Sequence, residues 1–236
     1  MKHILSLSIS DLKIIFRSPA LRGFLFLPIL LFILIIFVMP NLVAEYPDLA
    51  PFVPVFVLVG IIENTQLFSF ISSLVLVDEK ESEVNKVYGV VPLSGFDFIL
   101  SRLSLPFIFT VLLNMALLIL QPFFDVDLLE NMIISIISAL IVPVYVLGIN
   151  IFARNRMQAL IYIKVFNILV LLPIAALFIN SKLSLLFAVF PTYYVFKGAD
   201  QMLADLPYFG YAVMAVSYLF ILLFVTGHYF LRRHFM

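Results

Sequence analysis

Two groups of residues in this chain of 236 carry polarity at spacings that could do chemistry. The first is Glu63-Asn64-Thr65-Gln66, almost a full helical turn of polar side chains inside an apolar run. Lys164, inside another apolar run, is its candidate counter-charge. An ionisable group at membrane depth costs roughly 3 kcal/mol or more, so such a turn faces protein or water rather than lipid. Glu63, Asn64, Gln66 and Lys164 are therefore candidates either for a buried polar pair with its neighbours or for the lining of a pathway. The second group is Asp78 to Arg102, DEKESEVNKVYGVVPLSGFDFILSR, the longest polar interruption in the chain. Val84, Val87, Tyr88 and Val91 recur at i, i+3, i+4 and i+7, the spacing of one helical face. Asp78 with Glu81 reads as a capping box opening a helix over 79–91, which Gly89 and Pro92 close. Ser94 with Asp97 repeats the capping pattern before the next apolar run. An apolar stripe flanked by Glu79, Glu81, Glu83 and Lys86 fits a solvated loop helix, or a docking peg for a groove on a soluble partner.

Other chemistries are missing from the sequence. There is no Cys, which excludes disulfides and thiolate ligands or nucleophiles. His3, His228 and His234 are too scattered for a His-based metal cluster. No G-x-x-x-x-G-K-[ST], H-E-x-x-H or G-x-S-x-G run occurs, so neither an ATP-hydrolysing site nor an enzyme of those classes is expected. No cofactor of the chain's own and no nucleic-acid partner is expected either.

Composition decides what positions these groups. The chain is 64% hydrophobic and 12% charged, with a mean hydropathy of +1.18, and a soluble domain of this size cannot bury that much apolar surface. The reading is an all-α polytopic membrane protein forming a single transmembrane domain. Apolar runs place six spans at 23–43, 54–77, 98–120, 129–152, 159–179 and 208–231. Pro28, Pro106, Pro143 and Pro173 fall inside spans and read as kinks. Residues 1–20 form an amphipathic interfacial helix, with Leu5, Ile9, Leu12 and Phe16 on one face and Ser6, Ser10, Lys13 and Arg17 on another. The segment 183–206 reads as a re-entrant or surface element, apolar through Phe196, polar from Lys197, and ended by Pro207. Twelve of the fourteen Lys and Arg fall on one set of connecting segments. The positive-inside rule then puts both termini and the polar interruption in the cytoplasm, in a multi-pass protein of the cytoplasmic membrane.

The order of these parts is a surface helix beginning DLKIIFRSP (Asp11 to Pro19), two spans, an E-K-E helix leading into Pro92-Leu93-Ser94, and further spans. Phe190-Pro191-Thr192-Tyr193-Tyr194 precedes the last span. This order resembles the membrane subunit of type-2 ABC transporters, the exporter permease family. The family often has Gly where Glu83 stands here. The resemblance implies a homodimer or heterodimer of permeases surrounded by membrane lipid and working with a separate cytosolic ABC ATPase that holds ATP and Mg. It makes the helix over 79–91 a coupling helix, with Glu79, Glu81, Glu83, Val84, Val87, Tyr88 and Val91 as the ATPase contacts. The expected cargo is hydrophobic or amphiphilic: a drug-like compound, a lipid or a glycolipid. The alternatives are a membrane scaffold or sensor recruiting a soluble partner, and an ion-coupled secondary transporter. The latter would be expected to carry several intramembrane carboxylates and an internal repeat.

Overall fold

The computed structural model of the chain describes residues 13, 15–83, 94–179 and 182–234. Seven helices order the described residues. They are α1 (Leu21–Glu45), α2 (Val53–Glu81), α3 (Gly95–Leu120), α4 (Leu128–Phe152), α5 (Arg156–Leu171), α6 (Pro191–Leu203) and α7 (Phe209–His234). All but α6 belong to the six helical stretches long and apolar enough to cross a membrane, and no strand occurs among the described residues. α2 and α4 are mostly buried and form the centre, while α1, α3, α5 and α7 stand around them with large lipid-ready faces. This arrangement follows from composition. The central helices bury small and polar side chains, Thr65, Ser69, Ser73, Ser135 and Ser138 among them, of the kind that lets helices approach closely in lipid, and the outer ones carry Phe, Leu and Ile outward.

The prolines act in different ways. α3 continues without a break through Pro106, whereas Pro28 follows a turn at Leu25 and Phe26 that interrupts α1. α4 is broken at Leu140, three residues before Pro143, and a 3-10 stretch at Leu172–Leu177 carries Pro173. A further irregularity precedes Pro40: α1 widens into a π-turn at Leu34–Val38, where the Met39 N–H donates to the Leu34 carbonyl.

Two expected boundaries move. α2 does not stop at Val77 for a new helix to open at Asp78; it continues unbroken to Glu81. The Asp78 carbonyl accepts the Ser82 N–H at 3.0 Å and the Ser82 hydroxyl at 2.7 Å, so Asp78 lies in the last turns of a helix rather than at an N-cap. No Gly or Pro separates the apolar run from the charged one, and nothing stops the ladder until Glu83 adopts φ 59°. The stripe of Val84, Val87, Tyr88 and Val91 lies outside the described residues. At the other end, α6 runs through the expected apolar-to-polar boundary at Phe196 and Lys197. Thr192, Val195, Phe196, Ala199 and Met202 keep one buried face across it.

Local caps fix the remaining connections. The Ser94 hydroxyl accepts the Asp97 N–H at 3.0 Å and donates to the Asp97 carboxylate at 2.7 Å, starting α3. Asn155 starts α5 by accepting the Gln158 N–H at 2.9 Å. After α3, Gln121 is buried and its side-chain oxygen accepts the N–H groups of Phe123 and Phe124 at 2.8 and 2.9 Å, which knots the short turn into α4.

Close approach of α4 and α5 depends on Gly148. A Cβ there would lie 2.9 Å from the Phe166 ring, which itself packs edge-on against Tyr145 at 5.4 Å. Gly148→Leu should therefore destabilise the bundle by about 1–3 kcal/mol, the usual cost of overpacking. The check is a lower melting temperature of the protein in detergent, with Gly210→Leu as a control because nothing lies within 4 Å of a Cβ at Gly210.

Candidate functional site

The polar turn of α2 is divided among its neighbours. Asn64 and Thr65 face α3, where Asn64 donates to the Asn114 side-chain oxygen at 3.2 Å and Asn114 donates back to the Thr65 hydroxyl at 3.4 Å. Gln66 faces α5 and donates to the Asn167 carbonyl at 3.3 Å. Below them Thr65, Ser69 and Ser73 each return a hydroxyl to the carbonyl four residues earlier, at 2.7–2.9 Å, which hides those hydroxyls against their own helix. On α4, Tyr145 donates to the Asn167 side chain and Asn150 to the Ser73 carbonyl. The result is a buried seam of amide and hydroxyl groups joining α2 to α3, α4 and α5.

Glu63 is not part of that seam. It is half-buried on the wall of a cleft of about 620 Å³ between α1, α2 and α5. The same cleft is lined by Asn64, Gln66, Lys164 and Asn167, with Phe24, Leu27, Leu30 and Leu31 supplying the α1 side. Lys164 is exposed, and no ion pair joins it to Glu63 among the described residues. The structure therefore brings the four candidates Glu63, Asn64, Gln66 and Lys164 to one cavity without the direct bridge that their depths allow. It also adds Asn167 to the cavity and Asn114 and Tyr145 to the seam behind it. A lone Asn in VLLNMALL or VFNILV, where every neighbour is apolar, is the signal that could have found the two asparagines.

The residues expected to meet an ATPase divide similarly. Glu79 is buried, with its carboxylate 2.6 Å from the Arg102 guanidinium. Burial of this pair leaves Glu79 little surface to offer a partner. Glu81 and Glu83 are exposed, and Glu81 accepts the Arg156 N–H at 3.0 Å. Among the described residues, no group of three or more His, Cys, Asp or Glu is placed to hold a metal ion.

Over residues 11–226 the sequence matches the family described as fluoroquinolones export permease protein Rv2686c-like. The match runs from the N-terminal amphipathic segment into the last span and takes in the whole cleft. The chain belongs to the Rv2686c-like family. It is a family of ABC exporter permeases, and the fold fits it: a multi-pass helical membrane subunit. No curated protein and no solved structure matches the chain significantly. In this Rv2686c-like permease the seam is the rigid backing of the cleft, because the polar turn that presents Glu63 is fixed through Asn64, Thr65 and Gln66.

That backing can be measured. Asn64→Ala and Asn114→Ala should each destabilise the bundle, with a coupling between them of about 0.6 to 1.7 kcal/mol, the range for hydrogen bonds between helices in lipid. A double-mutant cycle of unfolding in mixed micelles reads the coupling, and additive losses would remove the bond from the account.

Proposed function

We propose that this chain is the membrane half of an ATP-driven exporter and that the cleft between α1, α2 and α5 is where its cargo is held. The observation carrying this reading is the pair of opposite charges, Glu63 and Lys164, on one cavity at membrane depth in an export permease family. Charges there are tolerated where they face a water-filled cavity or a partner. An exposed Lys164 on the outside of a single copy fits a face that a second permease copy covers.

The name of the family points to fluoroquinolones, and the cleft suits that chemistry. A fluoroquinolone is a flat aromatic acid that also carries a basic amine. Lys164 would take its carboxylate and Glu63 its ammonium group, with Asn167 beside them and Phe24 and Phe70 offering apolar walls. Those two rings already meet edge-on at 4.6 Å. A cavity of this size lies within the range that holds drug-sized ligands. A zwitterion is a poor solute in hydrocarbon unless both charges are met, so the two side chains would give selectivity over neutral amphiphiles of the same size.

Energy would come from a separate cytosolic ATPase subunit holding ATP and Mg, since the chain has no phosphate-binding loop of its own. Segment 84–91, with Val84, Val87, Tyr88 and Val91 as its apolar stripe and Glu81 and Glu83 at its root, is the proposed contact. Both termini and this segment would face the cytoplasm, following the distribution of Lys and Arg. Family membership favours this reading over a scaffold and over an ion-driven carrier.

Two experiments test it. Val87→Asp or Tyr88→Asp should insert normally but lose co-purification with the ATPase, and retention of the ATPase at wild-type yield by either variant would sink the proposed contact. Glu63→Gln and Lys164→Met should each raise fluoroquinolone accumulation in cells expressing the pair several-fold, with the ATPase still bound. Unchanged accumulation in both would move the cargo site elsewhere.

A further inference from the structure

The four residues Asp78, Glu79, Lys80 and Glu81 form the last turn of α2, and at about 100° per residue they point four ways. Each reaches a different group. Asp78 lies 3.6 Å from the Arg156 guanidinium at the start of α5. Glu79 holds Arg102 of α3 at 2.6 Å, with only 8% and 2% of the two side chains exposed. The Lys80 ammonium donates to the Asn150 carbonyl and, at 3.4 Å, to the Ala153 carbonyl, where α4 ends and its last carbonyls lack helical partners. Glu81 accepts the Arg156 N–H at 3.0 Å. α7 joins the same knot, with Arg233 donating to the Ile151 carbonyl at 3.2 Å and the Phe230 ring 5.9 Å from the Lys80 nitrogen. Among the described residues, none of these bonds reaches α1.

α1 differs in its own geometry as well. The stretch that lines the cleft, Leu27 to Leu34, lies between the turn at Leu25–Phe26 and the π-turn at Leu34–Val38. Both are places where the helical ladder is already interrupted and where a small dihedral change swings the residues between them. Within this stretch only Pro28 is buried, Leu31 and Phe32 pack on the core from one side, and Leu27, Leu30 and Ile33 are exposed, so packing restrains the swing from one side only.

We infer that Asp78, Glu79, Lys80 and Glu81 are positioning residues that lock α2, α3, α4, α5 and α7 into one body, against which the Leu27–Ile33 stretch of α1 moves as the wall of the cleft. This rests on the exporter reading only for its purpose; the motion itself is a property of the chain. A displacement applied through segment 84–93, which joins the bases of α2 and α3, would carry α2 and α5 together. The Glu63 and Lys164 sides of the cleft would then keep their spacing while α1 opens or closes it.

The absence of native Cys allows nitroxide pairs at engineered thiols in the full chain in lipid nanodiscs. Leu112→Cys with Ile168→Cys reports α3 against α5, and Leu30→Cys with Leu112→Cys reports α1 against the same body. All three positions are exposed. The expected result is one narrow Leu112–Ile168 distance and a broad or two-peaked Leu30–Leu112 distance that shifts by several ångström when a fluoroquinolone (ciprofloxacin) is added. Glu79→Gln should broaden the Leu112–Ile168 distance, and the exchange Glu79→Arg with Arg102→Glu should narrow it again. A Leu30–Leu112 distance that is single and unmoved by the drug overturns the inference, as does a Leu112–Ile168 distance unaffected by Glu79→Gln. Drug accumulation in cells carrying the unlabelled chain and its ATPase tests the exporter reading separately, so a chain that moves as described and exports nothing would refute only that reading.

Discussion

A polar group in hydrocarbon must find its partner inside the protein, and in this chain that requirement falls mainly on α2. Its buried Asn64, Thr65, Gln66, Ser69 and Ser73 are satisfied by Asn114 on α3, by Asn167 on α5 and by its own carbonyls, so the helices around it have little choice of rotation or height. Apolar packing alone would not set this register, because lipid tails and leucine side chains are nearly equivalent surroundings. The fixed register then decides what is left over. Glu63, one residue before Asn64, cannot share the seam that Asn64 and Gln66 occupy, and it is turned instead onto the cleft.

The same division explains how the two charged regions differ. Within the apolar spans, Glu63 and Lys164 share a cavity without touching. At the end of α2, charges are matched at contact distance: Glu79 with Arg102, Asp78 with Arg156. A buried pair formed this closely is costly to break, since removing one partner strands the other in low dielectric. The cavity groups lack that restraint, as the proposed cargo site would require.

The spans were legible because a run of about twenty apolar residues has one physical solution in this composition. The Ser94–Asp97 cap was legible for a similar reason: its pattern stands directly before an apolar run with a Pro just behind it. The Asp78–Glu81 pattern misled because the same residue types close a helix when no breaker precedes them, and only the structure shows the α2 ladder running through. The roles of Lys80 and Arg102 could not be read from spacing, since their partners lie on α4 and on the base of α2 itself, up to 73 residues away in sequence. The cleft was half visible. Composition marked Glu63 and Lys164 as unusual, but the α1 wall that faces them is ordinary hydrocarbon sequence and carries no mark.

The π-turn in α1 has a consequence for how the first span can vary. Such a turn is what a helix becomes when it takes up one additional residue while the stretches on either side keep their contacts. Related chains could lose a residue between Leu34 and Val38, or regain it, and still present Ile35 and Met39, two of the buried residues of the span. Length at this one place would then be an adjustable trait, letting the reach of α1 drift to suit thicker or thinner bilayers without disturbing the helices behind it.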